Sequence, residues 1–423
     1  MSAGQILIDI GAIALTFLVI VLVHEAGHFV VAKLSGIRVD EFAIGFGPKL
    51  VARRIGETLY SIRALPAGGY VRMPGMLGIE GEADAGERNF YRASKTKRFM
   101  TVAAGIVFNL VFAGICFTVV NLAPTPSRVV DGGALAASGI PSGATIRSIN
   151  GTAIRHDTPK NVTNDLHAAT QADQGRAMQV AYTTSDGAQR SAVVRPQLVV
   201  ILPTEVSSLQ PGVYVVTSVN GHAPGTGDPA QVLGSGGSVT INGYTQGTPS
   251  QKFNDITLSH VTTGYGSPES IQATWLIGLE AGFDGQPLAT AVVNGFRSVP
   301  DFIREQVVGV YQLITVPSLG GIAGPNGLSG PVGIAQQTVS QAQGGLFGQQ
   351  GLIWWIGFVS MSLGLINVLP IPFLDGGKLF FILVEAVRRK RVDPRVEAAA
   401  SAIGLALVVL LLVYVTIGNV SRL

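Results

Sequence analysis

Long apolar runs separated by polar, glycine-rich stretches are the main pattern along this chain. A helix of about 20 apolar residues spans the hydrocarbon core of a bilayer, so runs of that length predict transmembrane helices. Three runs are long enough, and a fourth is shorter and is closed by two prolines: 6–32, 99–122, 398–417 and, as the shorter one, 352–369. The pattern therefore predicts a polytopic α-helical membrane protein with about four transmembrane helices.

The composition agrees with that class of protein. Of the 423 residues, 47% are hydrophobic and 13% are charged, against roughly a quarter charged in soluble proteins. No Lys or Arg precedes the first run, so a cleavable signal peptide is not predicted. The net charge of +3 gives no indication of a nucleic-acid partner, whereas the apolar runs require contact with membrane lipid. The single cysteine, Cys116, excludes an intrachain disulfide.

The distribution of Lys and Arg predicts how the chain is oriented in the membrane. Twelve of them lie at 33–98 and six at 378–395, whereas the much longer stretch 123–351 has only ten. Loops rich in Lys and Arg stay on the cytoplasmic side. Both termini and the stretch 123–351 are therefore predicted to be extracytoplasmic.

The segments between and around the apolar runs differ in pattern. The loop 33–98 alternates apolar and polar positions around 45–75, which predicts a β-hairpin on the cytoplasmic side, either as part of a solvated loop or as a sheet that dips toward the membrane. The region 123–286 has the strand and turn order of a small peptide-binding α+β module at 127–198, while 199–280 is either a second module or an insertion. The other predicted segments are a first transmembrane helix at 1–32, a second at 99–122, a membrane-proximal helical segment at 287–350, a third transmembrane helix at 351–376, a cytoplasmic helix and loop at 377–397, and a fourth transmembrane helix with a tail at 398–423.

The first apolar run contains the sequence His24-Glu25-Ala-Gly-His28. Two histidines four positions apart lie on one face of a helix, at a spacing that can bind one metal ion. Glu25 lies one position further round the helix, where it can take a proton from a water molecule that the metal activates. The motif predicts a hydrolytic zinc site inside a membrane-embedded segment.

A catalytic zinc site needs three protein ligands and one open position. Asp375 is the best third ligand, because it follows an apolar run and two prolines, where irregular backbone usually lines a cavity. His24 lies about 18 residues into the first run, or roughly 27 Å at 1.5 Å per residue. Asp375 comes late in the third run, which also points inward, so one site on the cytoplasmic side can hold both residues.

Two other acidic residues fit this role less well. Asp9 lies near the opposite end of the first run, where an interfacial position is expected. Glu385 lies beyond Asp375, with Arg388 and Arg389 as its expected partners.

Together, the sequences at 24–28 (His-Glu-Ala-Gly-His) and 367–376 (Asn-x-x-Pro-x-x-x-Leu-Asp-Gly) resemble the site-2 protease family of intramembrane metalloproteases. The similarity is to the bacterial branch that carries PDZ domains. It implies one Zn²⁺ per chain, bound by His24, His28 and Asp375, with Glu25 as the general base. It also implies hydrolysis of a peptide bond in a single-span membrane protein, such as an anti-sigma factor, during regulated intramembrane proteolysis.

The resemblance extends to residues around the metal site and to the location of the protein. Asn367 and Pro370 match positions that line the substrate cleft of the family, where an amide can bind the substrate backbone or the oxyanion. Asn109 matches a polar position of the second span and has a similar role, or it forms a hydrogen bond between helices. The stretch 45–75 resembles the membrane-associated β-hairpin of the family, which implies strand pairing with substrate. The implied location is the bacterial inner or plasma membrane, with the active site toward the cytoplasm.

The sequence departs from the family pattern at one position in the PDZ-like region. Two other functions would also explain some of the motif residues. Ser-Gly-Ala at 142–144 stands where these PDZ modules usually have Pro-Gly-Asp, so the number of PDZ-like domains and their peptide ligand or regulatory partner stay open. A zinc-binding membrane transporter or sensor explains the histidines but gives Glu25 no role. A catalytically silent PDZ receptor predicts that Glu25→Gln leaves the phenotype unchanged.

Overall fold

The computed structural model describes residues 3–76, 86–124, 127–157, 159–202, 206, 209, 212–234, 238–259, 261–263, 271–280, 282–315, 330–343, 345–347 and 351–420. Within them, apolar helices alternate with a β-hairpin and with two sheet modules. In chain order the elements are α1 (Ala3–Leu34), β1 (Glu41–Ile55), β2 (Thr58–Arg72), α2 (Lys95–Leu122), β3 (Arg128–Val129), α3 (Ala134–Ala137), β4 (Thr145–Ile149), β5 (Thr152–Ala153), α4 (Pro159–Ala172), β6 (Met178–Thr183), β7 (Gln189–Val194), β8 (Gln197–Leu202), β9 (Gly212–Val219), α5 (Pro229–Val232), β10 (Val239–Thr245), β11 (Thr248–Leu258), β12 (Thr262–Thr263), β13 (Gln272–Leu276), β14 (Leu279–Glu280), α6 (Leu288–Thr315), α7 (Pro331–Gln343), α8 (Leu352–Val368), α9 (Asp375–Arg388) and α10 (Pro394–Val420).

Three of the described helices are long and apolar enough to cross a membrane: α1, α2 and α10. The fourth apolar run forms α8, whose 17 residues fall short of the usual length of a span. Its C-cap, Leu369, is already extended, and α9 begins six residues later at Asp375. The chain is therefore not helical from 369 to 374, the stretch that contains the two prolines, as the sequence predicts.

The second apolar helix, α2, is the central element of the bundle, since α1, α6, α8 and α9 all pack against it. Glycines allow some of these contacts to be very close. A Cβ built on Gly27 would lie 2.5 Å from the carbonyl oxygen of Ala104, and one built on Gly357 would lie 2.8 Å from Cβ of Cys116. Small residues at helix interfaces are typical of membrane proteins, where close backbone approach replaces the hydrophobic effect as the source of attraction.

The amphipathic helix α6 packs along the C-terminal half of α2. Its Gly295 lies so close to Thr118 that a Cβ there would come within 2.3 Å of the threonine Oγ1. Further along, the Gln306 amide donates to Ser362 Oγ of α8 at 2.7 Å. Helix α6, which begins the segment predicted as membrane-proximal, thus packs against two apolar helices.

The two strands of the hairpin after α1 form a sheet of four paired segments. Residues 41–44 of β1 pair on one side with 59–62 of β2 and on the other with 69–72, while 49–55 pair with 58–63. Both strands bend, so the spatial order is 49–55, 58–63, 41–44 and 69–72. The turn at Glu57 is fixed to the end of α1, because Lys33 donates to Glu57 at 2.6 Å, and this bond together with Arg88 lowers the pKa of the Glu57 carboxyl.

Two β modules lie between α2 and α6. The first has the sheet order β5-β4-β6-β7 and a core that includes Leu135, Ile146 and Met178. The second has the order β11-β10-β9-β8-β13-β12 and a separate core around Trp275. The region 199–280, which the sequence leaves open, therefore contributes a sheet with a hydrophobic core of its own.

Glu385 has different partners from those expected, whereas the interfacial position expected for Asp9 stays a prediction. Glu385 is buried and pairs with Arg98 of α2, and it also accepts a hydrogen bond from Val392 N at 3.1 Å. The expectation of Arg388 and Arg389 as its partners was therefore wrong, because these residues are exposed beyond the packed face of α9. Asp9 is also buried, and it accepts from the Gln5 amide at 2.8 Å.

Candidate active site

His24 and His28 lie one turn apart on α1, both buried, with their rings nearly perpendicular and their centroids 4.8 Å apart. Their Nε2 atoms are 3.3 Å from each other. The helical spacing of four residues places both rings on the same face, as the sequence predicts. The two ring nitrogens thus face a common point.

Asp375 brings the third donor to that point from a distant part of the chain. It is the first residue of α9, and its Oδ2 lies 3.1 Å from Nε2 of His24 and 3.1 Å from Nε2 of His28. The two glycines that follow make this position possible. A Cβ on Gly376 would lie 2.2 Å from the carbonyl oxygen of Leu369, and one on Gly377 would lie 2.4 Å from that of Ile371.

These three donors fit a tetrahedral zinc ion. Their separations of 3.1 to 3.3 Å are close to the spacing of about 3.3 Å that bond lengths of about 2.0–2.1 Å require. Although Asp375 Oδ2 is so close to two ring nitrogens, it is buried without a hydrogen-bond partner. The lone pairs of Nε2 of both histidines and of Oδ2 of Asp375 point to one place, and none of them points at a proton of another. This explains why the three atoms are close together without a hydrogen bond between them. The three ligands leave a fourth position for water or substrate.

The far side of each imidazole decides which nitrogen is free to bind metal. Nδ1 of His28 lies 2.8 Å from the carbonyl oxygen of Thr101, which can only accept, so Nδ1 holds the proton and Nε2 keeps its lone pair. Nδ1 of His24 lies 3.3 Å from Nδ2 of the fully buried Asn109, whose Oδ1 has no hydrogen-bond partner. A half-turn of this amide would let Oδ1 accept from His24 and would give both histidines the same tautomer.

Close packing of α2 against the two imidazole rings also holds them in place. A Cβ built on Gly105 of α2 would lie 2.4 Å from Nε2 of His28 and 2.8 Å from Cε1 of His24. The helix carrying Gly105 can therefore touch both imidazoles only because this residue lacks a side chain. Thr101, Gly105 and Asn109 follow each other at intervals of four, so they form one face of α2 that covers the histidines.

Glu25 is partly exposed, unlike the neighbouring histidines, and it faces the hairpin. A Cβ built on Gly69 of β2 would lie 3.5 Å from Cγ of Glu25. Glu25 therefore directly follows His24 in α1 and lies next to the strand 69–72.

The remaining predicted site residues lie at the C-terminal end of α8. Asn367 is buried, and its amide donates to the carbonyl oxygen of Leu363 at 3.0 Å, within its own helix. Pro370 is exposed, in the irregular segment before Asp375. Asn109 contacts His24 rather than an open surface, which favours hydrogen bonding between helices over contact with substrate. The structure thus brings His24, His28, Asp375 and Asn109 together, with Glu25 beside them.

Comparison with known proteins agrees with this geometry. The family model for peptidase family M50 matches residues 12–411. The chain belongs to this family. It is therefore a zinc metalloprotease and a membrane protein, and the site-2 proteases are its relatives.

Individual relatives cover nearly the whole chain. The zinc metalloprotease RasP of Geobacillus kaustophilus is 27% identical over 485 residues, with 95% of each chain covered. RasP of Oceanobacillus iheyensis is 28% identical over 489 residues, covering 97% of this chain and 98% of its own. A protein of Neisseria meningitidis that is predicted to be a zinc metalloprotease is 30% identical over 458 residues, with 97% and 98% covered.

Sequence reasoning did not identify Thr101 and Gly105. One sign was available, namely small or polar residues at 101, 105 and 109 in an otherwise apolar run. That spacing marks one face of a helix, but it does not reveal which helix the face touches.

We expect Gly105→Ala to displace the imidazoles of His24 and His28, because its new methyl group would overlap both rings. The purified variant should retain less than half of the zinc of the wild type, measured by elemental analysis of the metal-to-protein ratio. Gly11→Ala in α1 is the matched control, since nothing lies within 4 Å of a Cβ at that position. Full zinc content in Gly105→Ala would show that this packing does not position the ligands.

We expect Asn109→Leu to weaken zinc binding about 10- to 100-fold, as loss of a ligand's hydrogen-bond partner typically does. Asn109→Asp should bind zinc nearly as well as the wild type, because it keeps an acceptor for His24 Nδ1–H. Competition with a zinc chelator measures both affinities. Equal weakening by the two substitutions would contradict the assignment of Asn109 Oδ1 as the acceptor.

Proposed function

We propose that this zinc metalloprotease is an intramembrane endopeptidase that cleaves single-span membrane proteins of the anti-sigma-factor type, using one zinc ion per chain. The observation that supports this most is the position of the donor cluster. His24 and His28 belong to the apolar helix α1, and Asp375 follows the apolar helix α8. A protease with its ligands on such elements acts on peptide bonds at or within the bilayer.

The chemistry follows from the residues around the three donors. When bound, zinc supplies a Lewis acid that lowers the pKa of a coordinated water to about 7 and polarises the scissile carbonyl. Glu25 accepts the proton of the attacking water and then passes it to the leaving amine. Thr101 and Asn109 keep the imidazoles oriented while this occurs. Asn367 and Pro370 lie on the segment that leads to Asp375, and we assign them to the wall of the substrate cleft.

The hairpin supports a role in holding the substrate in an extended form. Its strand 69–72 is the last in the sheet order, and among the described residues no other strand pairs with its outer edge. A transmembrane helix hides its amides in its own hydrogen bonds, so it must unwind before cleavage. Pairing with this edge, next to Glu25, would replace the lost hydrogen bonds and offset that cost.

We further propose that the chain crosses the membrane four times, with the donor cluster toward the cytoplasm and both β modules outside. The supporting observations are the dense Lys and Arg of 33–98 and 378–395, and the apolar character of α8 beside the three longer helices. In this arrangement the first β module is a PDZ-like domain that binds a peptide. It would admit only substrates whose extracytoplasmic part has already been removed.

We expect Glu25→Gln to keep its zinc but to cleave a tagged single-span substrate at least about 100-fold more slowly, because it loses the general base. Both proteins are reconstituted in lipid vesicles, and cleavage rate and bound zinc are measured on the same samples. Glu305→Gln is the control, as it removes an exposed carboxylate from α6.

The outcomes separate the competing functions. Unchanged cleavage by Glu25→Gln would contradict the assigned base. If neither wild type nor variant cleaves any single-span substrate while zinc crosses the membrane, the protein is a transporter. If signalling in cells is normal with Glu25→Gln and is lost on removing 127–280, the protein is a silent receptor.

A further inference from the structure

A cavity of about 360 Å³ lies on one face of the hairpin sheet, away from the metal-binding residues. That volume is within the range of small-ligand sites, about 300–1,000 Å³. Two carboxylates and five cationic side chains line it, which gives a formal charge of +3. The cations are Arg38, Lys49, Arg54, Arg63 and Arg72.

The carboxylates do not neutralise all of these cations. Asp40 accepts from Arg38 at 2.7 Å, and Glu41 accepts from Arg63 at 2.7 Å. Each carboxylate is thus used by its own arginine. Lys49 lies 3.9 Å from the oxygen of Glu41 that Arg63 already occupies.

Two arginines at the cavity are free of carboxylate partners within the described part of the chain. Arg54 donates only to the backbone oxygen of Glu57, at 3.2 Å, and Arg72 forms no ion pair. In addition, the Nε of Arg63 is buried without a hydrogen-bond partner. Guanidinium groups with free donors match the oxygens of a phosphate group, which can accept from two donors of one arginine at once.

The cationic cavity is continuous with exposed apolar side chains. The Arg63 guanidinium lies 5.3 Å from the centre of the Tyr70 ring, and that ring stacks on Phe46 at 6.2 Å. Phe46 pairs across the hairpin with Leu65, and the two side chains are 44% and 58% exposed. Because alternate residues of a strand share a face, Leu65 lies on the same side of β2 as Arg63. Cations and apolar groups therefore follow each other along one face.

We propose that this cavity binds the phosphate headgroup of an anionic phospholipid, whose acyl chains lie along Phe46 and Leu65. A soluble phosphate compound would use the cations but would leave the adjoining apolar side chains exposed to water. A lipid of the cytoplasmic leaflet satisfies both parts, and basic clusters beside transmembrane helices are known to attract such lipids. The choice of leaflet rests on the proposed orientation of the chain. Binding of the headgroup would fix the depth of the hairpin, and with it the strand next to Glu25.

Photolabelling of the full-length protein in lipid nanodiscs tests this proposal. Each disc contains zwitterionic lipid with a trace of either photoactivatable phosphatidylglycerol or photoactivatable phosphatidylcholine with the same acyl chains. The test variant combines Arg54→Gln and Arg72→Gln, which leaves the Arg63–Glu41 pair intact. The control is Arg53→Gln, because Arg53 pairs with Tyr60, which packs on Phe29 of α1, and therefore lies on the opposite face.

Phosphatidylglycerol should label peptides of the hairpin more strongly than phosphatidylcholine does. The double variant should lose about tenfold or more of this labelling, since each cation that contacts the headgroup should contribute about fivefold to binding. Arg53→Gln should change it by less than about twofold, and equal zinc content and thermal stability should show that all three proteins are folded.

Three results would overturn the proposal. Equal labelling by the two lipids would show that charge is not recognised. An equal loss in Arg53→Gln would show a general effect of surface charge rather than a site. Suppression of the labelling by free glycerol phosphate would assign the cavity to a soluble phosphate compound.

Discussion

Polar groups are costly to bury among apolar helices unless each has a partner, and His24, His28 and Asp375 are buried in such a setting. The convergence of His24, His28 and Asp375 on one point meets this constraint, because a single cation satisfies all three donors. The helices α2 and α9 must pack closely around these three residues for their donor atoms to meet. Gly105 lets α2 cover the rings, and Gly376 and Gly377 let α9 start close enough for Asp375 to reach them.

Part of this site could be predicted from the sequence, and the reason is that its geometry is local. The spacing of His24 and His28 defines a helix face without any knowledge of the fold. Asp375 could be predicted from the expected topology. The first and third apolar runs are both predicted to run inward, which brings their ends to one depth in the membrane. Thr101 and Gly105 could not be predicted in this way, because their role depends on which face of α2 packs against α1. The partner of Glu385 was missed for the same reason, as Arg98 is 287 positions away along the chain.

The same holds for the fold: local sequence pattern determines some elements, and tertiary contacts determine others. Apolar length predicted α1, α2 and α10, and alternation predicted the hairpin. The pattern could not show that both hairpin strands bend into a four-part sheet, because bending depends on irregular pairing between 44 and 51. It also could not decide the nature of 199–280, whose sheet includes the separated strand β13. The bent sheet brings the strand 69–72 next to Glu25 and carries the cationic cavity on one face.

The proposed activity depends on one metal ion bound by two imidazoles of α1 and the carboxylate that begins α9. X-ray absorption spectroscopy at the zinc edge of the full-length protein in lipid nanodiscs tests it most directly, together with Asp375→Asn. We expect two imidazole ligands and oxygen ligands at about 2.0–2.1 Å, with lower zinc affinity in the variant. A spectrum without imidazole scattering, or one that Asp375→Asn leaves unchanged at full affinity, would contradict it.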